Sequence, residues 1–202
     1  MISALSLGDE EFLFRILAAR LQNSGDVFAG FVALKNYDYS RVYDWMMMLD
    51  GLNNKSNLVP ALASYYYSQT QNKKDNYWIV KYLQQHSVAD LNNNWWWLMQ
   101  ATFIAKNDLK DMDLAIDLAD KLADSEIAAA PFWIKSLSGV LRETKGDNCA
   151  IFKAIENLVQ NLNKKEDTIS MAEIEMQRYF IRTHLEKLKA EKFDPKKCYK
   201  KS

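Results

Sequence analysis

The chain has few side chains of the types that perform catalysis or bind transition metals. It contains two histidines and two cysteines in 202 residues, and His86 lies far along the chain from His184. Zinc sites need closely spaced pairs of Cys or His residues, and no CxxC or HExxH motif occurs. We therefore expect no metal site of this kind.

Neither the aspartates nor the glycines form a motif that binds a cation, holds a phosphate or presents a nucleophile. The aspartates from Asp113 to Asp124 recur every three or four residues. That spacing lines carboxylates along one helix face, whereas a bound cation needs oxygen ligands that converge on a point. The six glycines form no phosphate-binding loop and no nucleophile elbow. The sequence predicts a protein that is not an enzyme and has no cofactor.

The two cysteines, Cys149 and Cys198, are too few for a disulfide framework. We expect Cys149 to be a small free core residue and the chain to be cytoplasmic, in a reducing compartment. No apolar run reaches 18 residues, so no transmembrane segment is expected. The first residues lack the basic leader of a signal peptide. A membrane-associated location is expected instead if an upstream anchor has been removed.

Charge is balanced over the whole chain, with 26 basic and 26 acidic residues. A neutral protein produces no global field that attracts nucleic acid, so no nucleic-acid partner is expected. The Lys-rich end, residues 193–202, is predicted to be a flexible basic tail. This tail leaves peripheral contact with an anionic membrane open.

A repeat of 36 residues runs through the middle of the chain. Asp75, Asp111 and Asp147 begin aligned stretches with mostly apolar residues four, seven, eight and eleven positions later. Those offsets lie on one face of an α-helix, whose first turn the Asp side chain can cap. A fourth copy starts at Asp38. A second helical stretch precedes each copy, so the period predicts stacked pairs of helices.

His86 departs from this apolar pattern. It lies eleven residues after its Asp, where the next two copies carry Leu122 and Leu158. A histidine at a position that is otherwise apolar is expected to be partly buried against its neighbours. We predict that His86 is a packing residue.

The predicted fold is all-α: an α-α superhelix, or solenoid, of about four helix hairpins with a capping helix at each end. The repeats are expected at about residues 25–57, 58–92, 93–128 and 129–163. Residues 25–36 would form the first helix of the first repeat. The capping helices are expected at residues 9–23 and 170–192, and residues 1–192 would form a single domain.

The repeats resemble the tetratricopeptide repeat. The Gly146-Asp147 turn, Asp111 followed by Ala115, and Gly139 in a first helix are similar to that family's signature. The copies are two residues longer than the family's usual 34, and their motifs are degenerate. The resemblance implies a concave face lined by the first helix of each repeat.

The resemblance also implies which residues would contact a partner. In the second repeat these are Ser64, Ser68 and Gln71; in the third, Trp97, Gln100, Ile104 and Asn107; in the fourth, Trp133, Ser136, Val140 and Glu143. This face would offer aromatic anchors and neutral hydrogen-bonding groups to a peptide or helix.

The run Trp95-Trp96-Trp97 cannot all face one neighbour, because consecutive helical residues point about 100° apart. For Trp97 and Trp133, burial in the core and exposure to a partner are both left open. Trp96, together with Tyr65 and Trp45, is expected in the core, since aromatic residues at helical spacing usually pack there.

These features predict a non-catalytic scaffold or adaptor for protein–protein interaction, which binds a peptide or partner helix on its concave face. The alternative is a structural subunit of a larger protein assembly, either free or membrane-associated. The chain would be a monomer or one subunit of a complex. Its partner would be another protein.

Overall fold

The structure, a computed structural model, describes residues 9–27, 30–125, 127, 130–165 and 170–199. The described residues contain nine α-helices: α1 (Glu10–Gln22), α2 (Tyr39–Leu52), α3 (Leu58–Ala61), α4 (Asn76–Ala89), α5 (Leu91–Ile104), α6 (Met112–Ala123), α7 (Phe132–Thr144), α8 (Asn148–Lys165) and α9 (Met171–Ala190). The predicted all-α class is confirmed. Helices α1 and α9 fall where the capping helices were expected.

Contacts divide the chain into two compact units, Met1–Leu118 and Ala119–Ser202, where the sequence predicted one domain. In the first unit α1 packs on α2, α2 on α4, and α4 on α5. In the second unit α7 packs on α8, and α8 on α9. Within each unit, consecutive helices therefore pack in order, as in a helical solenoid.

The helix predicted over residues 25–36 is wrong. Strands β1 (Asp26–Val27) and β2 (Gly30–Phe31) pair antiparallel there, with Asp26 opposite Phe31 and Val27 opposite Gly30. A 3₁₀ turn, Leu34–Asn36, follows. Glycine and β-branched residues are poor helix formers, and Gly30 has a φ of +153°, a value that side chains with a Cβ rarely adopt.

Two of the helical segments include π turns. Helix α3 continues through a π turn at Leu62–Tyr66 and a 3₁₀ turn at Tyr67–Gln69. Helix α5 ends in a second π turn at Ala105–Leu109. A π turn adds a residue to an α-helix and rotates the side chains that follow it. The face presented after each turn therefore differs from the one that a regular helical period predicts.

Aspartates cap most of the second helices of the repeats. Carboxylate oxygens of Asp38, Asp111 and Asp147 accept hydrogen bonds from backbone amides two or three residues later, at 2.9 to 3.2 Å. Asp75 makes no such bond, and a short 3₁₀ turn (Lys73–Asp75) precedes α4 instead. Burial raises the pKa of Asp75, against the hydrogen bonds from Asn72 and Thr70.

The core of the second unit lies between α7, α8 and α9. Ile151, Ile155 and Leu188 are buried at its centre. Gly139 lets α7 approach α8 closely: a Cβ at this position would lie 3.0 Å from the Cβ of Ala154. The small residue predicted in this first helix is therefore required by the packing.

The C-terminal segment differs most from its prediction. Residues Pro195–Tyr199 form a 3₁₀ helix, and Cys198 is bonded to Cys149 in a disulfide whose Cα atoms lie 5.3 Å apart. Phe193 packs on Phe152 of α8 at 5.8 Å between ring centroids. The predictions of a free core residue at Cys149 and of a flexible tail from residue 193 are therefore wrong. Residues 200–202 lie outside the described residues.

Candidate functional site

An exposed group of aromatic side chains lies between the α3 segment and α5. We call Tyr65, Trp95 and Trp96 the aromatic surface. Tyr65 is 55% exposed and Trp96 40% exposed, and the Trp96 indole N–H donates a 3.0 Å hydrogen bond to the Tyr65 hydroxyl. The half-buried Trp95 packs edge-on against Trp96, with ring centroids 5.8 Å apart. These contacts hold two large rings at the surface in a fixed arrangement.

Trp97 lies beneath this surface. Its side chain is only 7% exposed, and its indole N–H donates a 3.0 Å hydrogen bond to the Asn57 side-chain oxygen. The Tyr65 ring packs edge-on against it at 6.1 Å. Trp97 therefore supports the aromatic surface from below.

The expectation that Trp96, Tyr65 and Trp45 belong to the core is wrong. Trp45 is 37% exposed, and Tyr65 and Trp96 are exposed in the aromatic surface. The helical period fixes which residues share a face, but three adjacent indoles leave the rotation of α5 undetermined. In α5 the apolar residues Leu98 and Ala101 are fully buried, and this burial turns Trp96 outward.

The predicted contact residues of the first unit have unequal exposure. Gln71 and Asn107 are exposed, and Gln100 is half-buried. The remaining four are buried: Ser64, Ser68, Trp97 and Ile104. The Ser68 hydroxyl donates to the Ser64 backbone carbonyl at 2.5 Å. A partner could reach the three amide side chains without any rearrangement.

In the second unit, α9 covers much of the predicted face of α7. Ser136 is 2% exposed and Glu143 6% exposed, while Val140 packs against the Ile151 cluster with residues of α9. Trp133 is half-buried. The Phe180 ring of α9 packs edge-on against Phe132 of α7 at 6.3 Å. The capping helix therefore occupies the place where the resemblance put a partner.

Charge pairs fix α9 on this face. Glu143 lies 3.0 Å from the His184 Nδ1 atom and 3.2 Å from the Lys187 ammonium, and both partners belong to α9.

We predict that Glu143→Gln lowers the free energy of unfolding of the second unit by about 1.5 kcal/mol, because a buried, charge-assisted contact is lost. Urea denaturation measures this change in the free energy of unfolding. Glu175→Gln, which changes an exposed carboxylate of α9, should leave stability unchanged; equal effects of the two changes would contradict the prediction.

A buried polar cluster joins α2 to α4. The His86 Nδ1 atom lies 2.7 Å from one carboxylate oxygen of Asp50, and the Tyr82 hydroxyl donates a 2.8 Å hydrogen bond to the other. His86 is 3% exposed, and its Nε2 atom has no hydrogen-bond partner among the described residues. Burial, with the nearby Asp50 charge, raises the pKa of Tyr82. His86 packs as predicted, but its partner Asp50 was not predicted.

In the described part of the chain, the His86 ring of this cluster is hydrogen-bonded to Asp50 and to no nucleophile. A general base acts on a nucleophile or a substrate within hydrogen-bonding distance. Tyr82 is fully buried, and no Ser or Cys contacts the His86 ring among the described residues. The three side chains therefore form a structural network.

No known protein family, curated protein or solved structure matches this chain. The candidate sites consequently rest on the geometry of its own residues.

No group of three or more His, Cys, Asp or Glu residues in the described part of the chain could hold a metal ion. Among the same residues, no helix combines the length and apolar character needed to cross a bilayer.

Proposed function

We propose that the chain is a non-catalytic protein-interaction module that binds a peptide or partner helix through the aromatic surface. The observation that carries the proposal is the exposure of Tyr65 and Trp96 as a hydrogen-bonded pair. Trp and Tyr dominate the binding energy of many protein interfaces. Because the two rings are already fixed, little side-chain entropy would be lost on binding.

Uncharged amide side chains in the same unit as the aromatic surface favour a neutral partner segment. Gln100 belongs to α5, as Trp96 does, and Asn107 and Gln71 are exposed in the same unit. Amide side chains can both donate to and accept from a peptide backbone. We propose that partner binding uses these amides together with the two rings, and that a tetratricopeptide-like repeat supplies the scaffold.

Replacing Tyr65 and Trp96 together with Ala is expected to weaken partner binding at least tenfold. Both side chains are largely exposed, so the variant should keep its helical content and lose about 1 kcal/mol of stability at most. Quantitative mass spectrometry of proteins captured by wild type and variant identifies the partner, and calorimetry with that purified partner measures the affinity.

The matched control is Tyr179→Ala, which removes an aromatic side chain that is 62% exposed on α9. This control should retain the partner. A double variant that stays helical and binds with wild-type affinity would overturn the proposed site. Loss of helical content would be resolved with the single variant Tyr65→Phe, which removes only the hydroxyl that Trp96 contacts.

The second candidate function is that of a structural subunit in a larger assembly. Exposed apolar residues one helical turn apart on α1, Phe12 at 60% and Ile16 at 49%, favour it. Sedimentation of the purified chain separates the two functions, since a subunit that assembles through α1 would form an oligomer that Phe12→Ser disrupts. The interaction module would sediment as a monomer with either residue.

A further inference from the structure

A cleft of about 580 Å³ lies in the first unit, between the end of α1 and the first half of α2. Its apolar lining consists of Leu21, Val32, Val42 and Trp45. Leu21 and Val42 are buried, while Val32 and Trp45 are each 37% exposed. A flat apolar group entering the cleft would therefore cover two exposed apolar side chains.

A buried tyrosine holds the wall of the cleft in place. The Tyr67 hydroxyl donates a 2.6 Å hydrogen bond to the Leu21 carbonyl and lies 3.0 Å from the Ser24 hydroxyl. Tyr39 donates a 2.8 Å hydrogen bond to the Tyr67 carbonyl. Burial raises the pKa of Tyr67 to about 12, so this hydroxyl stays protonated and remains a donor. These hydrogen bonds fix the position of the cleft wall.

Two arginines and one aspartate supply the charge of the cleft. Arg20 and Arg41 line it from α1 and α2, and Asp38 lies at the start of α2. The Asp38 carboxylate accepts hydrogen bonds from the Ser40 hydroxyl and the Arg41 amide, which lower its pKa. Its charge is therefore engaged in capping α2.

The arginines retain donors for a ligand. The Arg41 Nε atom lies 3.3 Å from the Asp38 carboxylate, and Arg20 forms no salt bridge among the described residues. Guanidinium groups present several N–H donors in one plane and bind carboxylate, sulfonate or phosphate oxygens in pairs. The volume is within the range of small-molecule pockets.

We infer that this cleft binds a small organic anion with a flat apolar body, whose ring system lies on Val32 and Trp45 and whose acidic group meets Arg20 and Arg41. The inference goes beyond the proposed protein-binding function and does not depend on it. Carboxylate, sulfonate and phosphate ligands share the required chemistry.

The test uses two dyes with the same ring skeleton. 8-Anilinonaphthalene-1-sulfonate carries an anionic group, and N-phenyl-1-naphthylamine lacks it. We expect the sulfonate to bind one per chain, at least tenfold more tightly than the neutral dye, with affinity that falls as salt is added. Energy transfer from tryptophan to the bound dye should drop in Trp45→Phe.

Variants locate the bound dye. Arg20→Gln with Arg41→Gln should weaken sulfonate binding at least tenfold, whereas the control pair Arg15→Gln with Arg178→Gln should not change it. All four arginines have exposed side chains, so the variants are expected to fold. Trp96→Ala, in the aromatic surface, should also leave dye binding unchanged, which keeps this test separate from that of the proposed function.

Three results would overturn the inference: equal affinity for both dyes, an unchanged affinity in the Arg20/Arg41 variant, or dye binding that is lost in Trp96→Ala. In the last case the dye would lie on the aromatic surface.

Discussion

Replacing His86 with Leu is expected to lower the free energy of unfolding by about 3 kcal/mol, although leucine fits the helical pattern at this position better than histidine does. The loss comes from Asp50. Its side chain is 9% exposed and would lose the partner that lies 2.7 Å away. A buried carboxylate that keeps only the Tyr82 hydroxyl as a partner is far more costly than the complete network.

The repeat provides the evidence that volume is not the cause. Leu122 and Leu158 occupy the position of His86 in the next two copies, and both are buried. A leucine at this point of a second helix is therefore compatible with the packing. Urea denaturation, followed by circular dichroism, measures the difference in stability.

The control removes the whole network at once. His86→Leu combined with Asp50→Leu and Tyr82→Phe should be more stable than His86→Leu alone, because no buried polar group is left unpaired. A single variant as stable as wild type would contradict the prediction. So would a triple variant less stable than the single one, which would assign the loss to packing.

The sequence predicted the position of His86 correctly but not its partner. The repeat period placed His86 on the inner face of α4, and Asp50 lies 36 residues earlier, one period back, on α2. That separation was the available signal: in stacked repeats, residues one period apart lie on neighbouring equivalent helices. Asp38 lies 37 residues before Asp75 rather than 36, so an alignment of the copies on these aspartates does not place Asp50 level with His86.

The contact residues show the limit of the helical period. A regular helix predicts Trp97 and Ile104 on the same face as Asn107, but a π turn at Ala105–Leu109 separates the last residue from the others. Trp97 and Ile104 are buried, whereas Asn107 is exposed. Insertions of this kind depend on local packing, which no periodicity in the sequence records.

The packing of α9 over α7 could not be predicted from the sequence, for a different reason. The period ends before α9, so nothing in the repeats fixes which surface that helix contacts. The pairing of Glu143 with Lys187 joins residues of opposite charge on separate elements, and His184 lies beside the same carboxylate. Many other pairings of the chain's balanced charges were equally compatible with the sequence.

Cysteine count led to a similar error. Two cysteines without a close spacing were interpreted as free thiols, yet Cys149 and Cys198 are joined in a disulfide. Sequence distance does not measure spatial distance: helix α9 runs back along α8, and Asn148 donates a 2.6 Å hydrogen bond to Glu191 near the same end. A disulfide persists in oxidising compartments, whereas cytoplasmic thiols are kept reduced.

Replacing both cysteines with Ser is expected to lower the free energy of unfolding of the second unit by about 4 kcal/mol, the value for a closed loop of this length. The two residues are 49 positions apart, so the bond closes most of that unit into a loop and restricts its unfolded chain. Urea denaturation of wild type, with and without a phosphine reductant, provides the comparison. The reduced wild type should match the variant within about 0.5 kcal/mol.

The redox state of the two cysteines in the cell determines whether the disulfide stabilises the native protein. We expect a thiol-alkylating reagent, added to source cells before lysis, to leave both cysteines unmodified, as a disulfide in an oxidising compartment requires. Two alkylated cysteines would instead support the cytoplasmic location that the cysteine count predicts. In that case, the second unit would depend on its core and on the Glu143 charge pairs alone, and α9 would be less stably held over α7.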